Sequence, residues 1–172
     1  VDVIWYKDPL PYLTSNEFEL WDMVFQDDGS RPWRYAPYSP NSGFYFVRNT
    51  PLTRYFVEML LRSGDAMQVA RSHQHVLNDL LVDFGSSKGL RVKVVRKGED
   101  NPFLGGVEFH NQPEIMKALL NGTRETYVFH MSWTHNKENK IKFLQQLGEW
   151  YWNDREQSCL ASPAIMCHYR DK

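Results

Sequence analysis

The sequence predicts an α/β fold with a mixed, mostly parallel sheet sandwiched by helices, and three observations carry that expectation. Short apolar runs rich in Val, Ile and aromatic residues alternate with stretches whose apolar residues recur every three or four positions. A chain of 172 residues can form one ordinary domain, burying roughly 70% of its unfolded surface. Apolar residues make up 42%, as in ordinary globular domains, and aromatics 15%, enough to build a core and also to line a groove for flat ligands.

The first strand is expected in Val1-Asp2-Val3-Ile4-Trp5, running into the proline turn Tyr6 to Pro9. Leu13 to Phe25 shows no sustained period, Gln26-Asp27-Asp28-Gly29 reads as a turn, and Ser30 to Pro40 as a loop rich in Pro and Tyr. Asn41-Ser42-Gly43 then leads into a strand, Phe44 to Arg48, expected to be buried on both faces. Tyr55, Phe56, Met59 and Leu60 have helical spacing within Leu52 to Arg62, with Gly64 as the stop signal. Ser72 is the expected cap of the next helix, which carries Val76, Leu77, Leu80, Leu81 and Phe84 on one face.

Arg91 to Arg96 reads as a strand, Asn101 to Gly106 as a Pro/Gly loop, Glu114 to Leu120 as a short helix and Thr126 to Met131 as another strand. Asn136 is expected to cap a last helix bearing Ile141, Leu144, Leu147 and Tyr151. Residues 1–152 are taken as the folded domain and 153–172 as a C-terminal tail.

Twenty basic residues against 21 acidic ones give a net charge of −1, so no nucleic-acid-binding surface is implied. No run of 18 apolar residues spans a membrane in the sequence given. Cys159 and Cys167 could close a small disulfide loop in an oxidising compartment, or remain free thiols in a reducing one. Asn121-Gly122-Thr123 is a glycosylation acceptor at an expected turn. These hints lean towards a lumenal or extracellular setting.

Ligands in open α/β sheets sit beyond the carboxyl ends of the strands, and three polar features are expected there. Asp2 inside the first strand could hold a divalent cation, or merely solvate the strand end. His130 ends an apolar strand and could give a ring nitrogen to the same metal, or be a hydrogen-bonded core histidine. Asn41, Ser42 and Gly43 offer an amide, a hydroxyl and close backbone approach, or an ordinary turn. His73 and His75 stand two apart, so on a helix they diverge and do not read as a zinc pair. Lys137, Lys140 and Lys142 could meet phosphates or form a solvated face.

In order, Val-Asp-Val-Ile-Trp-x-Lys-Asp-Pro (1–9), Asn-Ser-Gly-Phe-Tyr-Phe-Val-Arg (41–48), Gln-x-x-Leu-Asn (74–78) and Phe-His-Met-Ser-Trp (129–133), followed by Lys140 and Gly148-Glu149-Trp150, form a pattern. It resembles the nucleotide-diphospho-sugar transferase domain of the family with pectin xylosyltransferases and extensin arabinosyltransferases. More broadly it is similar to glycogenin-like retaining glycosyltransferases. The resemblance runs from residue 1 to about 152.

It implies a GT-A fold and a strand-end Asp-x-Asp that holds Mn²⁺ or Mg²⁺ on the donor diphosphate. By resemblance Asp2 is the second Asp of that motif, the first being expected one residue before Val1, so the chain is expected to be the C-terminal two-thirds of a longer domain. His130 matches the His completing the metal site. Asn41, Ser42 and Gly43 match the stretch lining the donor sugar, with Trp133 and Lys137 as further donor-binding candidates. Gln74 matches the Gln of an Asp-Gln pair near the reacting carbon, and His73 stands where many members have the Asp.

The activity so implied is retaining transfer of a sugar, from a UDP-sugar or similar donor, to a glycan or protein hydroxyl. Such proteins usually work in the Golgi lumen on a single N-terminal anchor. The alternative is a non-catalytic sugar-binding or interaction module on the same scaffold, for which the missing carboxylate at His73 speaks. A phosphate-ester hydrolase fits less well, because no second cluster of metal ligands is visible.

Overall fold

The computed structural model describes residues 2–29, 32–95, 101–134, 136–153, 155–156 and 158–159. The chain divides into two units, Val1–Trp133 and Thr134–Lys172. In the first, strand β1 (Val3–Trp5) precedes a short helix α1 (Leu10–Leu13), whose first N–H is accepted by Asp8 Oδ1 at 2.9 Å. Strand β2 (Met23–Asp27) is buried along its whole length, and β3 (Pro40–Val47) follows.

Helix α2 (Pro51–Arg62) opens on a capping box between Thr50 and Thr53, with proline at its first position. A short helix α3 (Gly64–Ala70) leads to α4 (His73–Lys88). The Ser72 hydroxyl caps α4 by accepting the His75 N–H at 3.3 Å, and Gly89 closes it in the left-handed region at φ +72°. Then come β4 (Val92–Val95), β5 (Phe103–Gly105), α5 (Gly106–Asn111), α6 (Pro113–Leu120) and β6 (Val128–His130). The second unit holds α7 (Lys137–Gln146), capped by Asn136, and the antiparallel pair β7 (Trp152–Asn153) and β8 (Ser158–Cys159). Cys167 lies outside the described residues, and so does the pairing expected of it.

Two three-stranded sheets carry the first unit, in the orders β1-β6-β5 and β3-β2-β4. β2 is parallel to β4 and β5 to β6, whereas β1 runs antiparallel to β6 and β3 antiparallel to β2. The fold is therefore the expected mixed α/β arrangement, with its parallel pairs balanced by antiparallel ones. Met23 and Phe25 point into a core with Phe56, Leu77, Leu81 and Phe84 from α2 and α4. Val24 points the other way, into a core with Leu13, Phe18, Phe44, Phe103 and Val128. Alternation puts Gln26 on that second face, towards the other sheet.

Several elements differ from expectation, each for a physical reason. β2 has no polar face, so its run carries no alternation, and its last two residues had read as a turn. β5 is only three residues long and runs straight into α5 at Gly106, which had read as one Pro/Gly loop. Gly64 begins α3 instead of ending the structure, and α3 buries none of its residues, so it leaves no periodic signal. Tyr45 in β3 is 38% exposed, so that strand is covered on one face only. α7 ends at Gln146, ahead of Gly148 at φ +73°, so Tyr151 is not on the helix.

Candidate functional site

The antiparallel pairings bring strand starts to strand ends. Val3 pairs with His130, so the residue before β1, Asp2, stands beside the carboxyl end of β6. Asp2 precedes the strand and is not inside it, as the sequence had suggested. Asp27 pairs with Pro40, so the start of β3 adjoins the end of β2. Between the pairs Phe25–Tyr45 and Asp27–Pro40 the two strands fall out of register, and Asn41, Ser42 and Gly43 lie in the irregular part of β3. Such bulges turn side chains out of the regular pleat, often beside functional sites.

His130 is 7% exposed. Its Nε2 lies 3.5 Å from Asp2 Oδ1, and its Nδ1 donates to Gln26 Oε1 at 3.2 Å. The orientation of Gln26 is fixed independently, because its amide nitrogen donates to the carbonyls of Phe103 and Leu104 at 2.9 and 3.0 Å. The amide oxygen must then face the ring, so Nδ1 carries the proton and Nε2 turns towards the carboxylate. Nε2 is left facing the carboxylate oxygen, an arrangement that a cation between the two would join.

Gly43 lies flat against this ring. A methyl group there would stand 2.6 Å from His130 Nε2 and closer still to Cε1, so only glycine lets strand and imidazole approach this way. Asn41 shapes the same turn of chain: its Oδ1 accepts the Gly43 N–H at 2.8 Å and its Nδ2 donates to Asp28 Oδ1 at 3.2 Å. Trp133 joins through Asp28, whose carbonyl accepts its indole N–H at 2.6 Å. The residue is 42% exposed, and its φ of +62° is costly for so bulky a side chain.

A second group adjoins the first through β3. The Ser42 hydroxyl donates to Gln74 Oε1 at 3.0 Å and lies 2.7 Å from His73 Nε2, while its backbone N–H reaches Gln74 Oε1 at 3.3 Å. His73 and Gln74, at the first turn of α4, thus reach Ser42 in β3. His75 diverges from His73 to lie beside Tyr35, ring centroids 5.1 Å apart. Lys137 stands exposed at the first turn of α7, in the second unit, where Asn136 Oδ1 accepts the Asn139 N–H at 2.8 Å.

Among the described residues no three His, Cys, Asp or Glu side chains gather as a complete metal cage, so Asp2 and His130 are a pair. Sequence reasoning missed Gln26 and Asp28, which orient the site from the end of β2. The available signal was Met23-Val24-Phe25 followed by polar residues, the same strand-end pattern that singled out Asp2. No helix among the described residues is long and apolar enough to cross a membrane.

Comparison with the curated proteins and with the solved structures gave no match. A family model described as nucleotide-diphospho-sugar transferase does match, over residues 1–144. That span holds Asp2, Gln26, Asn41, Ser42, Gly43, His73, Gln74, His130 and Trp133. The chain belongs to the nucleotide-diphospho-sugar transferase family.

Proposed function

We propose that the protein transfers a sugar from a nucleotide-diphosphate donor, a UDP-sugar, to a hydroxyl of a glycan or glycoprotein, with retention at the anomeric carbon and with Mn²⁺ or Mg²⁺. The observation that carries this reading is the approach of Asp2 Oδ1 and His130 Nε2 to 3.5 Å, with the ring tautomer set by Gln26. One anionic oxygen and one neutral imidazole suit Mn²⁺ or Mg²⁺, and diphosphate oxygens and water would complete the set. A bound cation supplies neutralisation of the charge that builds on the departing nucleoside diphosphate.

The chain's own residues do the positioning. Asp2 and His130 hold the charged end, and Gly43 leaves room for the His130 ring. Ser42 and Gln74 present a hydroxyl and an amide to the sugar, and Trp133 offers a half-open indole face to the donor. A Golgi-lumenal setting belongs to the same proposal. It is supported by the exposure of Asn121 in the turn after α6, and a mass loss on Asn121→Gln in secreted protein would test it.

The test is the thermal stability of the protein with Mn²⁺ and a panel of nucleoside diphosphates. A ligand at about 100 times its Kd adds roughly 2.7 kcal/mol. Stabilisation by UDP only when Mn²⁺ is present is the expected result; silence across the panel from folded protein would refute the donor site. The non-catalytic reading is favoured by one observation, the exposed imidazole of His73 where many members carry a carboxylate. Donor binding without any turnover would select it.

A further inference from the structure

Asp28, the first residue after β2, meets three separate parts of the chain. Its N–H donates to the Ser39 carbonyl at 3.0 Å, and its carbonyl accepts the Trp133 indole N–H at 2.6 Å. Its carboxylate Oδ1 accepts from Asn41 Nδ2 at 3.2 Å. Both side chains of that last bond are shielded from water, Asn41 at 2% exposure and Asp28 at 8%. The Asn41 amide has one orientation here. A backbone N–H only donates, so Oδ1 must take the Gly43 N–H, and Nδ2 is left for the carboxylate.

The strand ladder does not hold this turn, because β2 and β3 fall out of register between Phe25–Tyr45 and Asp27–Pro40. The side-chain pair holds it instead. At its far end Gly43 faces the His130 ring so closely that a Cβ would stand 2.6 Å from Nε2. Gln26 fixes that ring at Nδ1, and a ring fixed at one nitrogen can still tilt about that bond. Gly43 against its face removes the tilt.

Resting on the donor reading above, we propose that Asp28 and Asn41 are positioning residues for the cation pair: they press Gly43 onto the His130 imidazole and so keep Nε2 in line with Asp2 Oδ1. Asn41 then acts one step behind the donor, since both ends of its amide are engaged within the chain. The order of the relay, carboxylate then amide then backbone N–H, is what the pair contributes. Supporting bonds of this kind behind a metal ligand are worth about 10- to 100-fold in affinity.

Exchanging the two side-chain chemistries tests the order. Asn41→Asp sets a carboxylate against the carboxylate of Asp28. Asp28→Asn combined with Asn41→Asp returns a donor between them and keeps an acceptor for the Gly43 N–H. Both proteins retain the backbone bonds of Asp28 to Ser39 and Trp133. The readouts are calorimetric titration of Mn²⁺ in the presence of UDP, and the NMR shift of the Gly43 Cα protons, which the imidazole ring current displaces. Asn41→Asp should weaken Mn²⁺ at least about tenfold and move the Gly43 protons towards ordinary glycine values. The double substitution should bring the affinity back to within about threefold of wild type and restore the shift. Wild-type affinity and Gly43 shift in Asn41→Asp, even with a lower melting temperature, would overturn the proposal, because the pair would then serve stability alone. A double variant no better than the single one would overturn it too, and if Asn41→Asp fails to fold the double variant decides by itself. If UDP with Mn²⁺ does not bind wild type while the Gly43 shift is lost and restored as described, the pair still positions the ring and the donor reading falls.

Discussion

Gln26→Leu is the substitution that probes the site most directly. The leucine keeps the volume of the glutamine but removes the acceptor for His130 Nδ1–H and the donor to the carbonyls of Phe103 and Leu104. With Gln26 3% exposed, water does not replace these partners. At about 1–3 kcal/mol for each of the three buried polar groups left unmatched, less the gain from burying more carbon, the net cost is at least about 2 kcal/mol. A denaturant melt would read that as a lower midpoint with an unchanged slope.

The freed imidazole can turn or change tautomer, and loss of such a supporting hydrogen bond weakens cation binding about 10- to 100-fold. Gln26→Glu separates the two effects. It restores an acceptor to Nδ1–H but faces the two carbonyls with a carboxylate, so stability falls while Mn²⁺ affinity stays within about threefold of wild type. Calorimetric titration of Mn²⁺ in the presence of UDP provides the assay. A folded Gln26→Leu protein that binds Mn²⁺ as wild type does would refute the role given to Gln26.

Asp2→Ala, at a side chain 25% exposed, should abolish Mn²⁺-dependent stabilisation by UDP while leaving the melting temperature of the free protein within a few degrees; undiminished stabilisation would remove Asp2 from the metal set. Gly43→Ala drives a methyl group into the His130 ring, and a displacement of that kind should cost on the order of 100-fold in turnover, with wild-type turnover as the contrary result. At Asp22, burial raises the carboxyl, but hydrogen bonds from the Arg91 side chain and backbone, with the charges of Arg91 and Arg48, take it below its ordinary value. Its contribution is therefore complete above the unfolded pKa of about 4 and is lost as pH falls through the lower folded value. Asp22→Asn should lower stability at neutral pH and flatten the acid limb of the stability profile, and an unchanged acid limb would contradict the ion pair.

The parts of the fold legible in the sequence are those with a one-sided environment. α4 has a serine cap and an apolar face, and Val76, Leu77, Leu81 and Phe84 are buried as that face requires. β2 has no outside, so it shows no alternation, and Gln26 near its end read as part of a turn. Asp2 and His130 were legible as a pair because each borders an apolar strand. Their meeting depends on β1 running antiparallel to β6, which no local pattern encodes. The link from Ser42 to His73 and Gln74 was legible only through the family pattern, since the two segments lie 31 and 32 residues apart.

That topology also explains why the site is placed where it is. Each sheet has three strands, and Gln26 in one reaches the β5 carbonyls and the β6 imidazole of the other. His130 belongs to one sheet, with Asp2 just ahead of its strand β1, while Asn41, Ser42 and Gly43 belong to the other. On the proposed reading, a donor held by both groups would bridge the two sheets, and its binding free energy would oppose their separation as well as local opening. The left-handed Trp133 fits the same logic: its indole bond to Asp28 ties the chain after β6 to the end of β2, a contact worth a strained backbone. Polar contacts that orient the site are thus also the contacts that join the sheets. Substitutions at Gln26 or His130 must accordingly be read by stability and ligand binding together, and the Glu and Leu variants of Gln26 differ in the second while sharing the first.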